Sequence, residues 1–132
     1  MPHDRSQSSR VPGGRQALNA TRGVALAAEL EVATSLAART RGLLGRRSLP
    51  PGAGLMLDPC SSVHTWFMHF PIDVVFLDRQ NRVVGLKHGL RPFRAAGAWR
   101  GVRTLELPAG TIAATGTSAG DHVVFEASDS GT

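Results

Sequence analysis

The chain has 132 residues, of which 42% are hydrophobic and 19% charged, and its formal net charge is +5. That length serves one core rather than two. Its single cysteine, Cys60, excludes an intramolecular disulfide and so a cystine-stapled secreted scaffold. No apolar run reaches the ~18 residues that a membrane helix needs, so no membrane role is expected.

The charge is unevenly placed. Residues 1–24 carry Arg5, Arg10, Arg15 and Arg22 against Asp4, while the rest holds eleven basic and nine acidic residues. The body is therefore only mildly basic. Nucleic acid is disfavoured as a partner, because that function concentrates positive charge on the folded domain.

Residues 1–23 are rich in Ser, Arg, Gly and Pro without apolar periodicity, and read as a disordered basic extension. They lack the apolar core of a secretory signal, which makes the cytoplasm the expected compartment. In the segment Val24 to Val32, Leu30 and Val32 alternate with Glu29 and Glu31, the pattern of a first strand with one wet face.

A helix is expected over Thr34 to Gly45. Thr34 or Ser35 supplies the N-cap, and Leu36, Ala37, Thr40, Leu43 and Leu44 share one stripe. Gly45 is placed to close it, with Arg46 and Arg47 at its negative end, and Pro50-Pro51 forbids continuation.

From Gly54 onward short β-type runs follow: Leu55–Leu57, Val63–Met68, Ile72–Leu77, Val83–Leu86, Val102–Leu107 and Val123–Glu126. Ile72–Leu77 and Val83–Leu86 form a hairpin across the polar loop Asp78–Arg82. Ala109–Thr115 reads as a short helical turn, and Ser118–Asp121 turns the chain into its last strand. The expected fold is mainly β: a compact barrel- or sandwich-like domain with one α-helix in its N-terminal half and a short helical turn near the C-terminus. Residues 24–127 make this single domain, and residues 128–132 a flexible tail.

The densest chemistry lies in Cys60-Ser-Ser-Val-His-Thr-Trp-Phe-Met-His-Phe-Pro-Ile-Asp73. Cys60, His64 and His69 are zinc-type ligands. On an extended strand, however, Cys60 and His64 stand ~13 Å apart at ~3.3 Å per residue, and His69 faces the other way. Neither a metal nor a cofactor is assigned. His64, Trp66 and Met68 alternate onto one face, where a ring, a thioether and an imidazole can floor a ligand pocket or simply fill core. Asp73, with Val75 and Leu77 on its own face, must be paired or hydrogen-bonded. His64, an Arg or backbone amides near Met68 are its expected partners, in a polar staple that fixes the loop at Phe70-Pro71. Glu106 between Leu105 and Leu107 is expected on the solvated face. Arg91, Arg94, Arg100 and Arg103 bracket Pro92-Phe93 and Trp99, a pattern that can hold an anionic polymer or be a plain surface loop.

Six motifs stand in order: Gly42-Leu-Leu-Gly-Arg46, Gly54-Leu-Met-Leu57, Thr65-Trp-Phe-Met68, Pro71-Ile-Asp-Val-Val-Phe-Leu-Asp78, Leu105-Glu-Leu-Pro-Ala-Gly110 and Gly120-Asp121. In this the chain resembles the domain-of-unknown-function 192 family over residues 24–127. The resemblance implies a small, mainly β, mostly bacterial domain without an established activity, and supplies no catalytic residues. His69-Phe70 stands where many members resemble Lys-Asn-Thr, Leu44 stands where Met is usual, and Cys60 and His64 are additions.

The expected function is that of a non-enzymatic domain binding a small molecule or protein partner at His64, Trp66, Met68, His69 and Asp73. The alternatives are a small hydrolase-like enzyme using Asp73 and His64, with Cys60 as a further candidate, and a weak anionic-polymer binder acting through Arg91–Arg103.

Overall fold

The computed structural model describes residues 15–43, 46–66 and 68–127. Its elements in chain order are β1 (Arg15–Asn19), β2 (Val24–Ala27), β3 (Glu29–Ala33), α1 (Leu36–Arg41), β4 (Ala53–Leu57), β5 (Ser62–His64), β6 (Ile72–Leu77), β7 (Val83–Leu90), β8 (Ala95–Gly97), β9 (Arg103–Pro108), α2 (Thr111–Thr115) and β10 (Val123–Ala127). The domain is mainly β and sandwich-like, without a closed barrel among the described residues. No helix among them is long and apolar enough to cross a membrane.

A five-stranded sheet, ordered β3-β4-β9-β6-β7, forms the middle of the molecule. One face carries Leu30, Met56, Val75, Leu77, Leu105 and Leu107 against Ala17, Leu26, Ala27 and Val123 of the three-stranded sheet β10-β1-β2, with Ile112 of α2. The other face carries Leu55, Leu57, Ile72, Val74 and Phe76 beneath Leu43, Leu49, Val63 and Met68. Two covered faces explain why every residue of β6 is buried and why its sequence reads as an almost continuous apolar run. The hairpin of β6 and β7 forms as expected, with Asp78 Oδ1 accepting the amides of Gln80 and Arg82 in the loop.

The expected run Val63–Met68 is a strand only at its start, in β5, because the chain turns at Thr65, whose carbonyl accepts the Met68 amide, and three further differences have physical causes. The expected extension contains a strand: β1 pairs with both β2 and β10, and Ala17 and Asn19 are fully buried. Its five residues hold too little apolar pattern to stand out before their neighbours are known. The expected first strand is two strands, broken at Ala28, because β2 and β3 belong to different sheets. The first helix is shorter than expected. Ser35 is its N-cap, accepting the Ala38 amide at 3.0 Å, but Gly42 ends it with φ 48° and ψ −126°, a conformation that glycine tolerates. Leu44, Gly45, Phe67, residues 1–14 and residues 128–132 lie outside the described residues.

Candidate functional site

The candidate surface begins with a two-stranded ribbon in which β5 pairs antiparallel with β8, His64 opposite Ala95 and Val63 opposite Ala96. Alternation turns Val63 into the core and His64 outward. Just beyond, Thr65 is fully buried and ties two chain segments together. Its amide donates to the Arg94 carbonyl at 2.8 Å, and its carbonyl accepts from the amides of Phe93 at 3.1 Å and Met68 at 3.2 Å. Its hydroxyl donates to the Arg91 carbonyl and accepts from the Arg94 amide.

This knot holds two rings out in solvent. Trp66 is 45% exposed and Phe93 62% exposed, with ring centroids 6.0 Å apart and planes tilted by 39°. His64 continues the row, 6.2 Å from the Trp66 ring at 48°. Phe93 holds φ 62°, in the left-handed region that a bulky L-residue avoids. Strain of this kind persists where the surrounding bonds impose it, and the Thr65 bonds do so here. The flanking side chains of Arg91 and Arg94 are exposed. Between Arg79 and Leu105 the sequence contains no acidic residue.

The five expected site residues do not converge. His64 and Trp66 share the ring row. Met68 is a buried member of the core cluster beneath it. His69 is exposed. Asp73 is fully buried in β6, where it shares its face with Val75 and Leu77 rather than with Ile72 and Val74. Its carboxylate accepts the amides of Gly89 at 2.8 Å, Gly110 at 3.1 Å and Ile112 at 2.8 Å. Backbone amides do satisfy it, yet they belong to the bulge of β7 and the start of α2, far along the chain from Met68. Asp73 thus serves as the remote cap of a helix whose own N-cap, Gly110, has no side chain to offer.

Glu106 reverses the expectation of a solvated acid. It lies opposite Leu55 of β4 and Val74 of β6, only 4% exposed, and its Oε1 is buried without a hydrogen-bond partner. The face that looked free from β9 alone is covered by the crossover that runs through α1 and Gly42. Desolvation pushes this carboxyl up to about 7, with Arg46 opposing the rise. Arg46 itself bonds Glu31 at 2.6 Å.

Cys60 is free and half-buried, its thiol donating to the Ser62 carbonyl at 3.0 Å. Among the described residues, no group of three or more His, Cys, Asp or Glu side chains is placed to hold a metal ion. The sequence reading missed Thr65 and Phe93 as builders of the surface. The turn-forming Arg91-Pro-Phe-Arg94 was the available signal, but the meeting of Phe93 with Trp66 is not legible from spacing.

This arrangement rests on a recognisable domain. Residues 17–125 match the family of uncharacterised proteins designated DUF192. The chain belongs to that family. Two solved structures share the fold of this DUF192 domain. One, a protein of unknown function from Novosphingobium aromaticivorans, is 22% identical with a TM-score of 0.72, covering 83% of this chain and 82% of that one. The other, from Sinorhizobium meliloti and described as a candidate transcription regulator, is also 22% identical with a TM-score of 0.71, covering 84% and 91%. A comparison with curated proteins finds no match.

Proposed function

We propose that this DUF192 domain is a binding module whose recognition surface is the row His64–Trp66–Phe93, and that its partner presents a flat ring beside a negative charge. The observation that carries this reading is Phe93, held in a left-handed conformation with its ring in solvent. Folding alone gains little from a strained, exposed phenylalanine, whereas a ring row flanked by Arg91 and Arg94 suits an aromatic anion. A hydrolytic site has no comparable support: three backbone amides occupy Asp73, and no hydrogen bond among the described residues joins it to His64.

The test is an NMR titration of the full chain with indole-3-acetate and with 2-naphthoate. Saturable shifts are expected at the amides of His64, Thr65 and Ala95, and their loss in Trp66→Ala and in Phe93→Ala. Shifts that are absent, or that persist in both variants, overturn the reading.

A further inference from the structure

A second feature stands apart from the ring row, at the opposite end of β8. There a cleft of about 330 Å³ opens between the β6–β7 loop and the turn that leads into β9. Asp78, Arg79 and Gln80 form one wall, and Trp99, Arg100 and Gly101 the other. We propose that this cleft is a binding site for a nucleotide unit, a planar ring joined to a phosphate.

Trp99 is 91% exposed, although the core lies directly behind its turn. The turn is closed by bonds from the Ala98 amide to the Ser61 carbonyl at 3.1 Å, from Gly101 to Ala98 at 3.0 Å and from Val102 to Leu77 at 2.7 Å. Gly101 is pressed so tightly that a Cβ would stand 3.2 Å from the Ala98 carbonyl oxygen and 3.4 Å from Phe76 Cβ. The backbone is thus anchored to the sheet while the largest side chain of the turn is turned away from it. An indole so placed leaves a large apolar surface in water unless a ligand covers it.

The polar groups of the cleft specify what that ligand carries. The Arg100 guanidinium lies 5.6 Å from the centre of the Trp99 ring, and Arg79 is among the residues that line the other wall. Two guanidinium groups suit a phosphate, and a ring that already accepts a cation suits a stacked base. Asp78 keeps its charge on this wall, its Oδ1 held by the amides of Gln80 and Arg82, each at 2.9 Å, and the two arginines outweigh it, leaving the lining net positive. The Gln80 side chain offers both a donor and an acceptor to the edge of a base. The cleft is open to solvent, and its volume stands at the lower end of the range of ligand pockets, roughly 300–1,000 Å³, room enough for one nucleotide unit.

The full chain carrying Trp66→Phe, in which Trp99 is the sole indole, tests this by fluorescence titration with AMP, adenosine, inorganic phosphate and hexa-deoxyadenylate. Saturable quenching by AMP is expected, with adenosine and phosphate each much weaker. Arg79→Gln and Arg100→Gln are each expected to weaken AMP by about tenfold. If the oligonucleotide binds more tightly than AMP with a steeper salt dependence, the nucleotide unit is read within a strand; the reverse order assigns the free nucleotide. An indole that none of these probes quenches, or AMP quenching indifferent to both arginine variants, overturns the proposal. Quenching that survives here while the ring-row titration fails separates this site from the proposed binding surface.

Discussion

Asp73 and Glu106 are acids on neighbouring strands of one sheet, buried on its opposite faces and treated in opposite ways. Asp73 lies opposite Leu107 and Glu106 opposite Val74, one position apart in the register. The first receives three backbone amides, whereas Oε1 of the second has no partner. Both are buried, at 0% and 4% exposure, so the difference lies in what covers each face. The amide-rich start of α2 and the β7 bulge meet Asp73, while apolar Leu55 and Val74 flank Glu106.

Asp73→Asn is therefore expected to destabilise the fold strongly. The amide replaces one acceptor oxygen with a donor facing other donors, and the loss should be about 2–4 kcal/mol. Urea unfolding measures it. A variant as stable as the wild type would show that the two bonds from Gly110 and Ile112 do not hold α2 to the sheet.

Glu106 predicts a stability that declines as pH rises. Its folded carboxyl titrates at about 7 against 4.5 for an ordinary glutamate. The unfolded chain therefore releases its proton first, so stability is full below pH 4.5 and falls as pH climbs toward 7. The gap corresponds to about 3 kcal/mol. Urea midpoints at pH 5 and pH 8 should differ in the wild type, and much less in Glu106→Gln.

Asp121 predicts the opposite behaviour in acid. It accepts bonds from Arg22 at 2.9 Å, from Asn19 at 3.0 Å and from the Ser118 amide at 2.9 Å. The Arg22 bond is the largest influence holding its carboxyl near 2, below the usual 3.8, followed by Asn19. Stability is thus present above pH 3.8 and is lost as pH falls through about 2. Asp121→Asn should flatten this acid limb of the unfolding curve.

At Phe93 two truncations isolate backbone strain from loss of the ring. Phe93→Ala and Phe93→Gly both remove the side chain, but only glycine relaxes at φ 62°. Thermal unfolding should show the glycine variant more stable than the alanine variant by about 1 kcal/mol. Equal stabilities would mean that the Thr65 knot imposes no strain.

Gly54→Ala is expected to cost about 1–3 kcal/mol. The added Cβ would stand 2.9 Å from Ala27 Cβ and 3.0 Å from Leu107 Cδ2, between the two sheets. Chemical denaturation checks this, and an unchanged midpoint would show that the sheets separate freely there.

The fold class was legible because it follows from local pattern: the continuous apolar run Ile72–Leu77, the polar loop of its hairpin, the Ser35 cap and the prolines after α1 act over a few residues. Family membership followed equally from the order of short motifs along the chain. The site was less legible because its geometry depends on long-range packing. Whether the alternate face of Leu105-Glu-Leu107 is wet depends on a crossover more than 60 residues earlier in the chain. Asp73 finds its amides 16, 37 and 39 residues away. Phe93 and Trp66 become neighbours only because Thr65 knots their two segments together. Periodicity reports which side a residue points to, but what waits on that side, a donor, an aliphatic wall or water, is decided only when distant strands close over it.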